Sequence, residues 1–234
     1  MSESTEALDG FIDKWRGRWP EWTVAEAFVP PAQRETILVW AALQQELIDA
    51  AWGGEDPRPG EAKLGWWQEE LAGWSKGARR HPLGAVLQRQ PVRWAALAGA
   101  LPALAASRER AATTDEAFAA LMPFAHAVAA VDADLSRTAV DEFQDRLVAA
   151  TLLQWRMVHG EAGVPLSVLA RAGEGDPTPL WGAELRRAWP RQRAASRPRR
   201  LWAGLARARL DQANPAQPRP GWKTLLMAWR AARD

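Results

Sequence analysis

With 234 residues and 17 glycines and 17 prolines, the chain is long enough for one domain with a substantial core. Cysteine is absent, which excludes disulfides, zinc–thiolate sites and a thiol nucleophile. The net charge of +2 hides an asymmetry: residues 181–234 hold thirteen Lys or Arg against three acids, so the first 180 residues are net acidic. Such a split marks either a basic segment that meets anionic partners or an acidic and a basic half that face each other in one fold. Apolar residues stay regularly spaced through the basic part, which favours the second.

The chain opens on "MSESTEALDG", acidic and polar, which does not read as a secretory signal. The apolar run from Trp94 to Ala106 falls short of the ~20 residues that span a bilayer, and Pro102 interrupts it. The expectation is a cytoplasmic protein, touching a membrane at most from its periphery.

The first predicted helix is 32–52, "AQRETILVWAALQQELIDAAW", with Pro30 and Pro31 at its start, where a missing N–H costs nothing. Its polar strip is narrow, Gln44, Gln45, Glu46 and Asp49, as in a central helix. "GGEDPRPG", 53–60, predicts a loop. In "EAKLGWWQEELAGW", 61–74, Leu64, Trp67, Leu71 and Trp74 recur at spacings of three and four and form one face of a helix. Further helices are predicted over 82–106, bent near Pro91 and Pro102, and over 114–133, 138–158, 164–171, 180–189, 197–212 and 221–232. Residues 173–179 and 214–220 read as loops. No stretch alternates at period two and no repeat is visible, so the fold class is all-α.

Two stretches then carry a resemblance. "FVPPAQRETILVWAALQQELIDA", 28–50, resembles the F-x-P-P-x-x-R segment and apolar helix of the squalene and phytoene synthase-like family. "KLGWWQEELAGWSKGARRHPLGAVL", 63–87, resembles that family's K/R-L-x-W-W-R-E-E-L helix, Gly turn and H-P. "DADLSRTAVDEFQDRL", 132–147, is a weaker match. The likeness is clearest over 28–160 and implies one domain, an isoprenoid-synthase-like helical bundle. Active members join prenyl diphosphates. They hold Mg²⁺ on two aspartate-rich motifs, each with carboxylates about one helical turn apart so that both point into one cavity.

The departures fall on those motifs. Where the resemblance implies D-D-x-x-D, the chain has "QQELIDA", leaving Glu46 and Asp49. The second motif has no counterpart after residue 160. Gln68 replaces the arginine of W-W-R, and the expected tyrosine is missing because the chain has no Tyr. "QQELIDA" also resembles a divergent branch that includes a mitochondrial complex I assembly factor. This implies a retained fold with catalysis lost or altered. Trp40, Trp66, Trp67 and Glu70 would then line an inherited pocket for an isoprenoid or acyl chain, with no cofactor. The alternative is a prenyltransferase in which Glu46, Asp49 and Asp134 hold Mg²⁺ and tryptophans stabilise a carbocation.

Other constellations are weaker. Asp141 and Asp145 have D-x-x-x-D spacing, but Thr138 three residues earlier favours helix capping. Asp132 and Asp134 fit a helix end. His81, His126 and His159 are far apart, and no nucleophile elbow, Walker loop or dinucleotide fingerprint occurs. Arg186, Arg187, Arg191 and Arg193 belong to the cluster "RRAWPRQRAASRPRR", 186–200. It reads first as a solvated or ion-paired face, then as a grip for acidic lipid or protein. Nucleic acid ranks last, because no nucleic-acid motif accompanies it.

Overall fold

The structure is a computed structural model that describes residues 3–139, 142–157, 163–212, 214–215 and 217–233. Twelve α-helices are seen among them and no strand: α1 Glu3–Arg18, α2 Trp22–Ala25, α3 Arg34–Trp52, α4 Pro57–Trp74, α5 Gly84–Leu87, α6 Trp94–Ala106, α7 Thr114–Ser136, α8 Glu142–Arg156, α9 Leu166–Ala172, α10 Thr178–Ala188, α11 Arg197–Arg209 and α12 Gly221–Ala232. The fold is the all-α bundle that the sequence predicts.

α3 and α7 form its middle. α3 is enclosed by α1, α4 and α5, and its polar residues Gln44, Gln45 and Glu46 are buried with the rest of the helix. α4 starts earlier than the loop prediction for 53–60 allowed. The Asp56 carboxylate accepts the Arg58 N–H at 3.0 Å, and Pro57 occupies the first turn. Gly60 is required there, since a Cβ at this position would lie 2.1 Å from the Ala50 carbonyl of α3. The predicted stripe of Leu64, Trp67, Leu71 and Trp74 is buried throughout.

Further segments differ from expectation. The span 82–106 is not one bent helix but α5 and α6 separated by non-helical residues around Pro91. Proline bars the residue before it from helical geometry. The first residues, read only as an acidic start, form α1. Leu8, Phe11, Ile12 and Trp15 recur at i, i+3, i+4 and i+7, and this face packs on the core. Among the described residues α8 runs from Glu142, and Thr138 and Ala139, read as its first residues, are not helical.

α7 is long and apolar enough to cross a membrane, unlike the shorter run in α6. It is also a core helix, with 61% of its most apolar window buried between α6 and α8. Thr113 caps it by accepting the Glu116 N–H at 3.2 Å. Arg137 closes it in the left-handed conformation, φ 54°.

Candidate functional site

A buried polar network joins α3, α7 and α11. Ser196 caps α11 by accepting the Arg199 N–H at 3.3 Å, which sets Arg199 one turn in and aimed at the centre. Its Nε donates to Asp132 Oδ2 on α7 at 2.6 Å and its Nη2 to Gln44 Oε1 on α3 at 3.0 Å. Trp40 Nε1 donates to the other Asp132 oxygen at 2.8 Å. The Arg199 and Asp132 side chains are 1% and 7% exposed. The guanidinium lies 4.8 Å from the Trp202 ring centroid.

Indoles fill the space around this network. Trp15 meets Trp22 and Trp202 edge-on at 5.2 and 5.8 Å, and Trp19 meets Trp155 at 5.8 Å. The space left beside Trp22, Trp40, Asp132 and Trp202 is about 10 Å³. That is at the lower limit for one water molecule.

The candidate acids are each engaged by cations. Glu46 accepts from Lys14 Nζ at 2.6 Å and from Lys63 Nζ at 2.7 Å. Burial alone would raise the Glu46 carboxyl, but the two lysines outweigh it and hold it below the usual carboxylate range. Lys14 in turn stays above its ordinary value despite burial, because Glu46 and Asp49 both face it. Asp49 pairs with Lys14 at 3.0 Å and Arg18 at 3.6 Å. Asp134 takes the fork of Arg93, from Nε and Nη2, both at 3.0 Å. Glu46 and Asp49 thus share one cation, and Asp134 belongs to a separate pair.

These acids do not fit Mg²⁺. That ion takes oxygen ligands in an octahedron, whereas ammonium and guanidinium groups stand at the carboxylates here. Among the described residues no three His, Asp or Glu side chains form a metal-holding group. Asp145 pairs with His126 Nδ1 at 2.8 Å, and its proposed companion Asp141 lies outside the described residues, as does His159.

Of the residues expected to line a pocket, Trp40, Trp67 and Glu70 are enclosed by their neighbours, and Trp66 is half-buried. Trp67 is fully buried, 4.5 Å from His81 and 5.2 Å from Trp66, and Trp40 borders the 10 Å³ space. Glu70 ties the end of α4 to the following turn. It accepts from Trp74 Nε1 at 2.9 Å and from the N–H groups of Arg80 and His81 at 2.6 and 2.8 Å. Burial would raise its carboxyl, but these donors win and lower it. Burial pushes the His81 imidazole down.

The basic cluster divides. Arg186, Arg187, Arg191 and Arg193 are exposed, and Arg186 reaches Asp211 at 2.8 Å. Arg199, from the same cluster, is the central cation. Arg209 is likewise buried and grips Glu21 through Nε and Nη2 at 2.9 and 2.6 Å. The basic and acidic halves therefore meet inside the fold. Sequence reasoning left Lys14, Lys63, Asp132, Arg199 and Gln44 without these roles. The available signal was Asp132, a lone acid within the apolar run "AVAAVDA".

A search of curated proteins finds no match. The family model for squalene/phytoene synthase matches residues 21–162, more than half of the chain, and the chain belongs to the squalene/phytoene synthase family.

Proposed function

We propose that this member of the family does not ionise prenyl diphosphates and acts as a binding or assembly protein. The carrying observation is Arg199, bound to Asp132 and Gln44 where α3 faces α7, with about 10 Å³ left beside it. A diphosphate leaves with the help of metal ions that neutralise its developing charge. Here the acids that would hold such ions are neutralised by Lys14, Lys63, Arg18 and Arg93. The space of about 10 Å³ beside Trp40 is small for an isoprenoid or acyl chain, the ligand the resemblance implies. This moves the reading towards a protein partner met at the surface, as the likeness to the assembly-factor branch implies.

Incubation of the purified chain with farnesyl or geranylgeranyl diphosphate and Mg²⁺ tests this. The expected result is no release of inorganic diphosphate above the protein-free control. Metal-dependent release that is lost in Glu46→Gln and Asp49→Asn establishes the prenyltransferase reading instead.

A further inference from the structure

α12 carries a second feature, independent of the central network. Trp222, Leu225, Leu226 and Trp229 are spaced i, i+3, i+4 and i+7 and so share one face of the helix. They are 68%, 52%, 43% and 44% exposed. The opposite face, with Thr224 and Ala228 buried, seats the helix on α11 and α2. Met227 also packs inward. It lies over Gly204 of α11, where a Cβ would stand 2.8 Å from the sulfur. The apolar stripe is thus not the side that holds the helix in place.

Basic residues flank the stripe. Lys223 and Arg230 follow one edge on a helical wheel, and Arg233 lies near the stripe beyond the helix end. Lys223 and Arg233 lie over Trp222 and Trp229, 5.4 and 4.2 Å from the ring centroids. On the Arg230 edge, α12 borders a recess of about 240 Å³ that Arg191, Arg193, Arg200, Arg207 and Arg230 also line, with no acid in its wall among the described residues. Burial pushes the Arg200 guanidinium down, and the nearby charges of Arg197 and Arg193 add to this. The recess is therefore a region of concentrated positive charge.

We propose that this face docks on an anionic membrane surface, with the α12 stripe inserted among acyl chains and the arginine recess against lipid phosphates. Tryptophan at both ends of an apolar face edged by Lys and Arg suits the headgroup boundary, where indoles prefer to sit and cations meet anionic lipid. Arginine forks match phosphate oxygens. Docking of two copies through the same face would bring Lys223, Arg230 and Arg233 of each towards the other, a like-charge arrangement that opposes it. The proposal holds whether or not the centre of the bundle turns over a prenyl diphosphate.

Flotation of the full chain with phosphatidylcholine vesicles, alone or containing phosphatidylserine, tests it. The chain is expected to float with the anionic vesicles, to stay in solution with the neutral ones, and to be released by high salt. Trp222→Ser with Trp229→Ser is expected to lower vesicle affinity by about tenfold or more, since two buried anchors are lost. Arg191→Gln with Arg207→Gln is expected to lower it by about tenfold, through two lost lipid contacts. Circular dichroism should be unchanged in both variants, because all four side chains lie outside the core. Failure to float, equal binding to neutral vesicles, or full binding by the tryptophan variant overturns the proposal. So does a dimer in sedimentation that the tryptophan variant converts to monomer, which would assign the face to a second copy.

Discussion

Asp132 and Asp134 stand two residues apart on α7 and meet two kinds of arginine. Asp132 points inward, where Arg199 and Trp40 satisfy both its oxygens away from water. Asp134 sits at the rim, 21% exposed, and its partner Arg93 is 55% exposed. Both pairs are charge-assisted and of similar length, yet they differ in what surrounds them. In the interior neither ion has water as an alternative partner, so losing one strands the other. At the rim, water replaces whatever is lost.

The largest expected effect follows from the interior pair. Arg199→Met leaves Asp132 buried without its cation and should cost about 3–5 kcal/mol of stability. This is read as a lower urea midpoint with an unchanged slope. Adding Asp132→Leu removes the stranded charge, and the double variant should recover much of the loss. If Arg199→Met alone is neutral, the interior pair is no different from the rim pair, and the contrast fails.

That contrast also marks what was legible in the sequence. Most of the helices after residue 30 were, because burying a face imposes a period, whereas α1 was passed over although Leu8, Phe11, Ile12 and Trp15 follow that period. Leu64, Trp67, Leu71 and Trp74 gave α4 its inward side, and all four are buried. The narrow polar strip of α3 correctly placed it in the middle. The pairing of charges was not legible, because it depends on which helices meet. Arg199 has the same local character as Arg197 and Arg200, and only the Ser196 cap and the approach of α11 to α7 send it inward. Glu46 and Asp49 were visible as acids one turn apart on α3, but their partners come from α1 and α4, 32 and 17 residues from Glu46. A motif of acids in sequence resembles a metal site until the cations that fold onto it are known.

Glu46 lies between the two extremes and sharpens the comparison. Its side chain is 6% exposed, whereas those of Lys14 and Lys63 are 45% and 44% exposed. Hydrogen bonds to charged groups contribute ~1.5–3 kcal/mol when well buried, and half-wet lysines bring this down. Glu46→Gln should therefore cost about 1–2 kcal/mol at neutral pH. The pH dependence has a defined sign. The folded Glu46 carboxyl titrates below its ordinary value of 4.5, so the unfolded chain takes up the proton first. Its contribution is present above pH 4.5 and is lost as pH falls through the lower folded value. In urea titrations the gap between wild type and Glu46→Gln should close over that acid range. A gap that stays constant with pH would mean that the Glu46 charge contributes nothing.

The smallest effect belongs to the rim. Arg93→Ala removes the fork on Asp134 and a longer contact of Nη2 with the Ala130 carbonyl at 3.5 Å. The Asp134 carboxylate then meets water instead of a buried void, so the cost should be about 0–1 kcal/mol. The same substitution bears on function. It strips the cation from the one candidate acid on α7 that faces the rim. If Asp134 were a dormant metal ligand, Mg²⁺ would stabilise Arg93→Ala more than wild type, since a ligand bound only by the native state raises its stability. The expected result is no difference in the Mg²⁺ dependence of the melting temperature, because a lone carboxylate supplies too few of the oxygens that Mg²⁺ requires. A Mg²⁺-dependent rise confined to the variant would show that Arg93 had been standing in for the metal.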